Sequence, residues 1–545
     1  MMKFNAGLWS FLISLYFVGS AEAYTPPVGI PDPGMWGTTH PIDSPAPITK
    51  NKCPGWPSAA TPGCYYVDNT RGSATDSSNV YGYPDKPRIS IPEITYDAGS
   101  YISLNNGKWS GGGQVITTFN GTPENPIWVV GNSAATIIGD WIVKGSYVLF
   151  DRVNFSTNSG RLQLRPHNGS SIHHMAFRNS EMVGSGTYGG NSAAVAIYGD
   201  SVNSVNNIVV YNNIIHDYGD DEYPTENDFH GIIPTSYSNN IWILNNHIYD
   251  NGGDSVQVGS ATLTTTARPH HVYIGNNIFH GDRENAIDIK RSQYVVASKN
   301  TCYDYAAVSS SSGEAITAHN EPDNVWIINN TVYDSNIGII TTGSTETYFI
   351  GNVIYNIGLQ AIHFRGASTG GAINNTISGY NTTGISIFVG GLKILNNILD
   401  NRIGTTGHDF EFSSTTNAAN SIVDNILFTD PDGAKLKVGT STMSLASFKS
   451  TYNKCTSFCQ ENKNNQFIDP AKYDFRLLDT SVAIDKGNKS DVYSLYLQRF
   501  GVALSTDFNG TLRPSGTAYD IGADENGIEV LPALPSPTFL NIFIK

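Results

Sequence analysis

One six-residue pattern returns seven times between Phe229 and Phe388. It reads His230-Gly231-Ile232-Ile233-Pro234-Thr235, Asp254-Ser255-Val256-Gln257-Val258-Gly259, Asn285-Ala286-Ile287-Asp288-Ile289-Lys290, Glu314-Ala315-Ile316-Thr317-Ala318-His319, Ile337-Gly338-Ile339-Ile340-Thr341-Thr342, Gln360-Ala361-Ile362-His363-Phe364-Arg365 and Thr383-Gly384-Ile385-Ser386-Ile387-Phe388. The third and fifth places are mostly Ile, Val or Phe, and the fourth and sixth are mostly polar. Side chains alternate across a strand, so places three and five point inward and places four and six outward. The second-place residues, from Gly231 to Gly384, are spaced by 24, 31, 29, 23, 23 and 23 residues. A short strand returning at that period is one coil of a solenoid.

A second column keeps the same period. Asn213, Asn246, Asn277, Asn300, Asn330, Asn352, Asn375 and Asn397 each sit just before a short apolar stretch. Stacked Asn side chains hydrogen-bond from one turn to the next, and Asn tolerates the left-handed backbone of a sharp corner. The two columns together resemble the exported parallel β-helix proteins of the pectate-lyase-like polysaccharide lyase superfamily. That resemblance implies an all-β fold: a right-handed single-stranded parallel β-helix with an N-terminal leader and cap and a C-terminal capping segment. The hand of the coil comes from the resemblance, not from the spacing. A leucine-rich horseshoe is the rival solenoid, and its Leu-rich signature is missing.

Composition narrows the partners. The formal net charge is −15 and charged residues make up 14% of the chain, with 54 Gly. That balance excludes a nucleic-acid binder, and an anionic polymer would have to be met by a locally basic site. Met1–Ala23 reads as a signal peptide: Lys3 supplies the positive start, Leu8 to Val18 the apolar core, and Ala21-Glu22-Ala23 the cleavage pattern. No other stretch is long and apolar enough to span a bilayer. The expectation is a monomer secreted after cleavage near Ala23, acting on an acidic polysaccharide, with no nucleic-acid or membrane partner. Cys53 with Cys64 and Cys455 with Cys459 read as two local disulfides in an exported chain. A zinc site is the alternative, although no His lies at ligand spacing. Cys302 is expected to be a buried free thiol.

The expected organisation is a Pro/Gly-rich leader over 24–63, coils over 64–428, a closing segment over 429–530 and a loose tail over 531–545. Insertions at Asp217 to Phe229, Ser260 to Pro269 and Tyr305 to Gly313 fall in consecutive turns. They are expected on the side of the outward strand face, as walls of a groove.

Stacking the repeats sets outward residues in rows about 4.8 Å apart along the axis. The sixth-place row holds Lys290, His319 and Arg365, the fourth Gln257, Asp288 and His363, and the first His230, Asp254 and Glu314, with Glu284 beside it. In a chain poor in charge, this gathering is the candidate site. β-Helix lyases, which it resembles, split uronic-acid polymers by β-elimination. A cation, Ca²⁺ or Arg, holds the uronate carboxylate and a Lys or Arg takes the adjacent proton. Glu284-Asn285-Ala286-Ile287-Asp288-Ile289-Lys290 looks like the Lys-bearing strand of those families. The resemblance makes Lys290 the base, with His319 one coil away and Arg365 three coils away binding or polarising the uronate chain along the groove. His230, Gln257, His363, Arg283 and Arg291 then bind substrate, and Asp254, Glu284, Asp288 and Glu314 could hold calcium. Two alternatives stay open. One is a glycoside hydrolase using paired carboxylates such as Asp288 with Asp254 or Glu314. The other is a non-catalytic carbohydrate-binding or adhesin solenoid.

Overall fold

The structure is a computed structural model that describes residues 24–34, 42–110, 114–166, 169, 171–187, 190–222 and 228–527. The expected signal peptide and the tail from Leu531 lie outside the described residues.

The repeated hexapeptide folds as anticipated. Its strands pair in parallel, each with the one a coil away. Ile232 lies opposite Val256, and Ile287, Ile316, Ile339, Ile362 and Ile385 follow in register. All seven are essentially sealed from solvent. The column runs past both ends of the recognised repeats, from Val115 through Trp141, Leu162 and Val195, and on to Phe410 and Leu436. β-Branched and aromatic side chains fill such a pleated interior well.

Three sheets wrap the core. The first carries the hexapeptide strands, among them Phe229–Pro234, Val256–Val258, Ile287–Lys290 and Glu314–His319. The second begins with Cys64–Val67 and includes Ile172–Arg178, Ser238–Leu244 and Asp323–Ile328. Long strands such as Ile337–Ile350 and Gln360–Ile373 belong to both, joining them into 26 strands. The third sheet has 14 strands, from Gly107–Trp109 to Cys459–Glu461.

The asparagine column stands at the turn between the second and third sheets. In each step an Asn Oδ1 accepts both the backbone N–H and the side-chain Nδ2–H of the Asn one coil before. Asn277 serves Asn246 in this way at 2.8 and 3.1 Å, and Asn330 serves Asn300 at 2.9 and 2.9 Å. The ladder is unbroken from Asn213 to Asn397. The left-handed backbone at this corner is carried by the preceding residue, commonly a second Asn: Asn212, Asn245, Asn276, Asn329, Asn374 and Asn396 all have positive φ. The ladder residue bonds and its neighbour turns, which is why the sequence repeats Asn-Asn.

Both chain ends cover the outer face of the second sheet. Trp242 Nε1 donates to Pro31 O at 2.9 Å, and Ser298 Oγ donates to Val28 O at 2.6 Å. The buried Arg178 guanidinium donates to Ile42 O and Ser44 O and pairs with Asp151 at 3.1 Å. Tyr496, on the C-terminal helix Asp491–Phe500, donates its hydroxyl to Gly29 O and packs against Trp326. The described part of the leader is therefore docked over apolar side chains, with one helical turn at Thr49–Lys52. The Cys53–Cys64 and Cys455–Cys459 disulfides are formed, and Cys302 is free and buried.

Candidate functional site

The outward face of the first sheet is the polar face, and two of the three insertions stand along opposite edges of it. The 260–269 loop follows strand Val256–Val258. It is held by Arg291, whose Nη1 donates to Leu263 O at 2.9 Å. The loop before Glu314–His319 is held by Arg283, whose two terminal nitrogens reach Ser310 and Ser309 at 2.7 and 2.8 Å. Both arginines were expected to bind substrate. Instead they are engaged by the walls of the groove, Arg283 with a side chain only 1% exposed.

The centre lies between those walls. Lys290 and His319 are register partners on adjacent strands, as the repeat predicts. Asp288 sits between them: Oδ2 meets Lys290 Nζ at 2.7 Å and Oδ1 meets His319 Nε2 at 2.8 Å. Lys290 Nζ also donates to Gln257 Oε1 at 2.7 Å, and Asn320 Nδ2 reaches His319 Nδ1 at 3.1 Å. Two strand-end residues stand behind. Asp254 is fully buried and accepts from Asn285 Nδ2 at 2.7 Å. His230 Nδ1 accepts the Asp254 backbone N–H at 3.0 Å. It therefore turns a lone pair toward the Oδ2 that lies 3.2 Å away, and that oxygen has no hydrogen-bond partner.

The electrostatics follow from burial and neighbours. Glu284 is pushed up to about 8, first by burial and then by Asp254, so it carries a proton at neutral pH. Burial and the Asp288 charge also raise Asp254. Asp288 is driven the other way: burial opposes its charge, but bonds from His319 and Lys290 outweigh that and hold it ionised. Burial alone would free the Lys290 proton, yet Asp288 first and Asp254 after it overcome that and hold the ammonium well above its ordinary range. This surrounding favours the charged form of Lys290 over the free base expected of it, since its neighbours are carboxylates rather than the cations that would loosen its proton. His319 is raised by Asp288 against the effect of burial.

The four carboxylates expected to take calcium do not form an oxygen cage. Both Asp288 oxygens are engaged, and Glu314 Oε2 accepts from Ser311 Oγ and Ser312 N, each at 2.9 Å. Glu284 lies 3.5 Å from Arg283. Among the described residues no three His, Cys, Asp or Glu side chains converge as a metal site. The Lys290 ammonium stands at the centre of the set, where it repels a divalent ion.

Further along the same face toward the N-terminus is a cleft of about 390 Å³, lined by Arg161, Gln163, Asp228, His230, Thr235 and Gln257 among others. Arg161 is pinned by Asp140 through two contacts of 2.6 Å. Arg161 and Gln163 were hidden in the sequence because their coil lacks a clear hexapeptide, and Asp228 because it stands just before the first one. Arg365 does not continue the Lys290–His319 row in register. The pairing shifts between Thr341 and Thr342, leaving Arg365 as the extra residue of a β-bulge, exposed to solvent.

Residues 261–418 match the family described as "Right handed beta helix region", which supplies the hand of the coil. No curated protein matches the sequence. Solved structures similar in outline differ in activity. The pectate lyase Pel9A is 14% identical with a TM-score of 0.38, covering 87% of this chain and 99% of that one. PfbA, a surface adhesin of Streptococcus pneumoniae, is 13% identical with a TM-score of 0.42, covering 59% and 86%. The GH136 lacto-N-biosidase of Eubacterium ramulus is 12% identical with a TM-score of 0.38, covering 64% and 66%. At this distance none of them assigns a role to a residue here.

Proposed function

From the premise that this chain is a right-handed parallel β-helix, we propose that it is an exported enzyme that cleaves a uronic-acid-containing polysaccharide by β-elimination. The observation that carries the reading is which charges reach the groove. The Lys290 and His319 side chains are 19% and 30% exposed, whereas Asp288 is 4% exposed behind them and Asp254 is sealed. A polymer in the groove therefore meets the Lys290 ammonium beside the His319 imidazole, although the chain is acidic overall. Two disulfides suit the oxidising compartment of an exported protein.

The residues divide the chemistry. The Lys290 ammonium binds the uronate carboxylate and stabilises the enolate-like charge that develops on it. Asp288 orients the His319 ring by accepting from Nε2–H, which leaves the Nδ1 lone pair as the base once Asn320 is displaced. Nδ1 takes the proton from the carbon beside the carboxylate. The released electron pair forms the carbon–carbon double bond, and the glycosidic oxygen departs, taking the proton that His319 Nδ1 now holds. The residues fit this scheme without a metal.

Hydrolysis needs a carboxylate in contact with the sugar. Asp288 has both oxygens engaged and Asp254 is out of reach, so the paired-carboxylate reading has less support. The test is ultraviolet absorbance of unsaturated products across alginate, pectate and glycosaminoglycans. We expect product on one class of uronic polymer. His319→Ala should lower kcat by roughly a hundred- to ten-thousand-fold and Lys290→Met by roughly a hundred- to a thousand-fold. New reducing ends without a double bond would establish a hydrolase, and binding without turnover would establish an adhesin.

A further inference from the structure

Three coils beyond Asp288 toward the C-terminus, the same outward face carries a second polar assembly. His363 is 8% exposed, and its Nε2 has no hydrogen-bond partner. Ser386, its register partner on the next coil, is 1% exposed, and its Oγ is equally unpartnered. A buried polar atom left unpaired destabilises the fold that holds it. Two of them side by side in one row form a place prepared for hydroxyl groups. The equivalent residues nearer the centre, Gln257 and Asp288, are both hydrogen-bonded.

Two more side chains complete it. Phe388 directly follows the next strand, Thr383–Ile387, at the sixth place of the repeat. It is 42% exposed and meets His363 edge-to-face at 5.0 Å. Arg365 leaves the row at the β-bulge, and a bulge re-aims the side chain it carries.

We propose that His363, Ser386, Arg365 and Phe388 form a distal subsite that binds a uronate residue of the same polymer. The ring moves Phe388 off His363 and lies against it, which opens the otherwise sealed His363 Nε2 and Ser386 Oγ to its hydroxyls, and its carboxylate meets Arg365. This rests on the reading of the centre as acting on uronic polymers. Burial, with the Arg365 charge adding, pushes His363 down to about 4. Its imidazole is thus neutral at neutral pH, suited to a hydroxyl rather than to a second carboxylate. Arg365 and Phe388 lie three and four coils from Lys290, roughly 14–19 Å at the usual strand spacing. Only a chain extending several sugars past the cleavage point reaches the subsite.

Chain length is the test. Steady-state kinetics compare a uronate trimer with an octamer of the polymer that is cleaved. We expect Phe388→Ala to raise KM for the octamer about tenfold and to leave the trimer unchanged, with Phe388→Trp restoring the octamer. Equal effects on both lengths, or none, overturn the proposal. Ser386→Ala should weaken octamer binding while leaving the melting temperature unchanged or raised, since it removes an unpaired buried hydroxyl. A structural role for Ser386 would lower the melting temperature instead and overturn its assignment to the subsite. If no polymer is turned over, calorimetry with alginate and pectate octamers and trimers decides the matter separately. Length-dependent binding lost in Phe388→Ala supports the subsite on its own, and its absence overturns it.

Discussion

At the scale of single residues, the centre is governed by one carboxylate. Asp288 touches both Lys290 and His319, and it holds a proton on each. On the proposed reading this makes Lys290 an electrostatic anchor and leaves the base to His319. It also sets a pH dependence. A base works only when deprotonated, and Asp288 raises His319 above its ordinary value of about 6.5. The rate constant kcat/KM should therefore climb with pH through that raised pKa. Asp288→Asn removes the anion, so the rising limb should move to lower pH as the maximum falls. A pH–rate profile whose limb stays in place in Asp288→Asn would remove His319 as the base.

At the scale of one coil, each turn is fastened by its Asn and filled by its Ile column. Asn330 accepts two hydrogen bonds from Asn300, and its Nδ2 donates to Ala297 O and to Asn352 Oδ1, all within the sealed interior. Cutting it back to Ala strands the Asn300 backbone N–H in a place without water. Asn330→Ala should cost about 2–4 kcal/mol, read from the midpoint of urea unfolding. A loss below ~0.5 kcal/mol would mean that the ladder follows from the stacked coils rather than holding them.

At the scale of the whole molecule, the leader is part of the body. It covers the outer face of the second sheet beside the C-terminal helix, over Trp242, Tyr273, Trp326 and Tyr348. A large uncovered apolar face drives association. A chain beginning at Cys64 should therefore melt earlier and bind a hydrophobic dye in its native state, while the full mature chain does not. Unchanged melting and dye binding would show that the C-terminal helix alone is enough cover.

The two periodic columns were legible because a solenoid turns sequence spacing directly into spatial stacking. One hexapeptide determined the coil, the inward Ile row and the adjacency of Lys290 and His319, and paired Asn marked the corner. What only the tertiary structure decided was the environment of each outward group. That environment depends on partners that share no sequence period. Asp288 reaches both neighbours, Arg283 turns into a loop wall, a bulge displaces Arg365, and Phe388 packs on a His363 whose Nε2 is left unpaired. Protonation and reach are set by burial and by the nearest charge, and both are properties of the assembled coil rather than of any one strand.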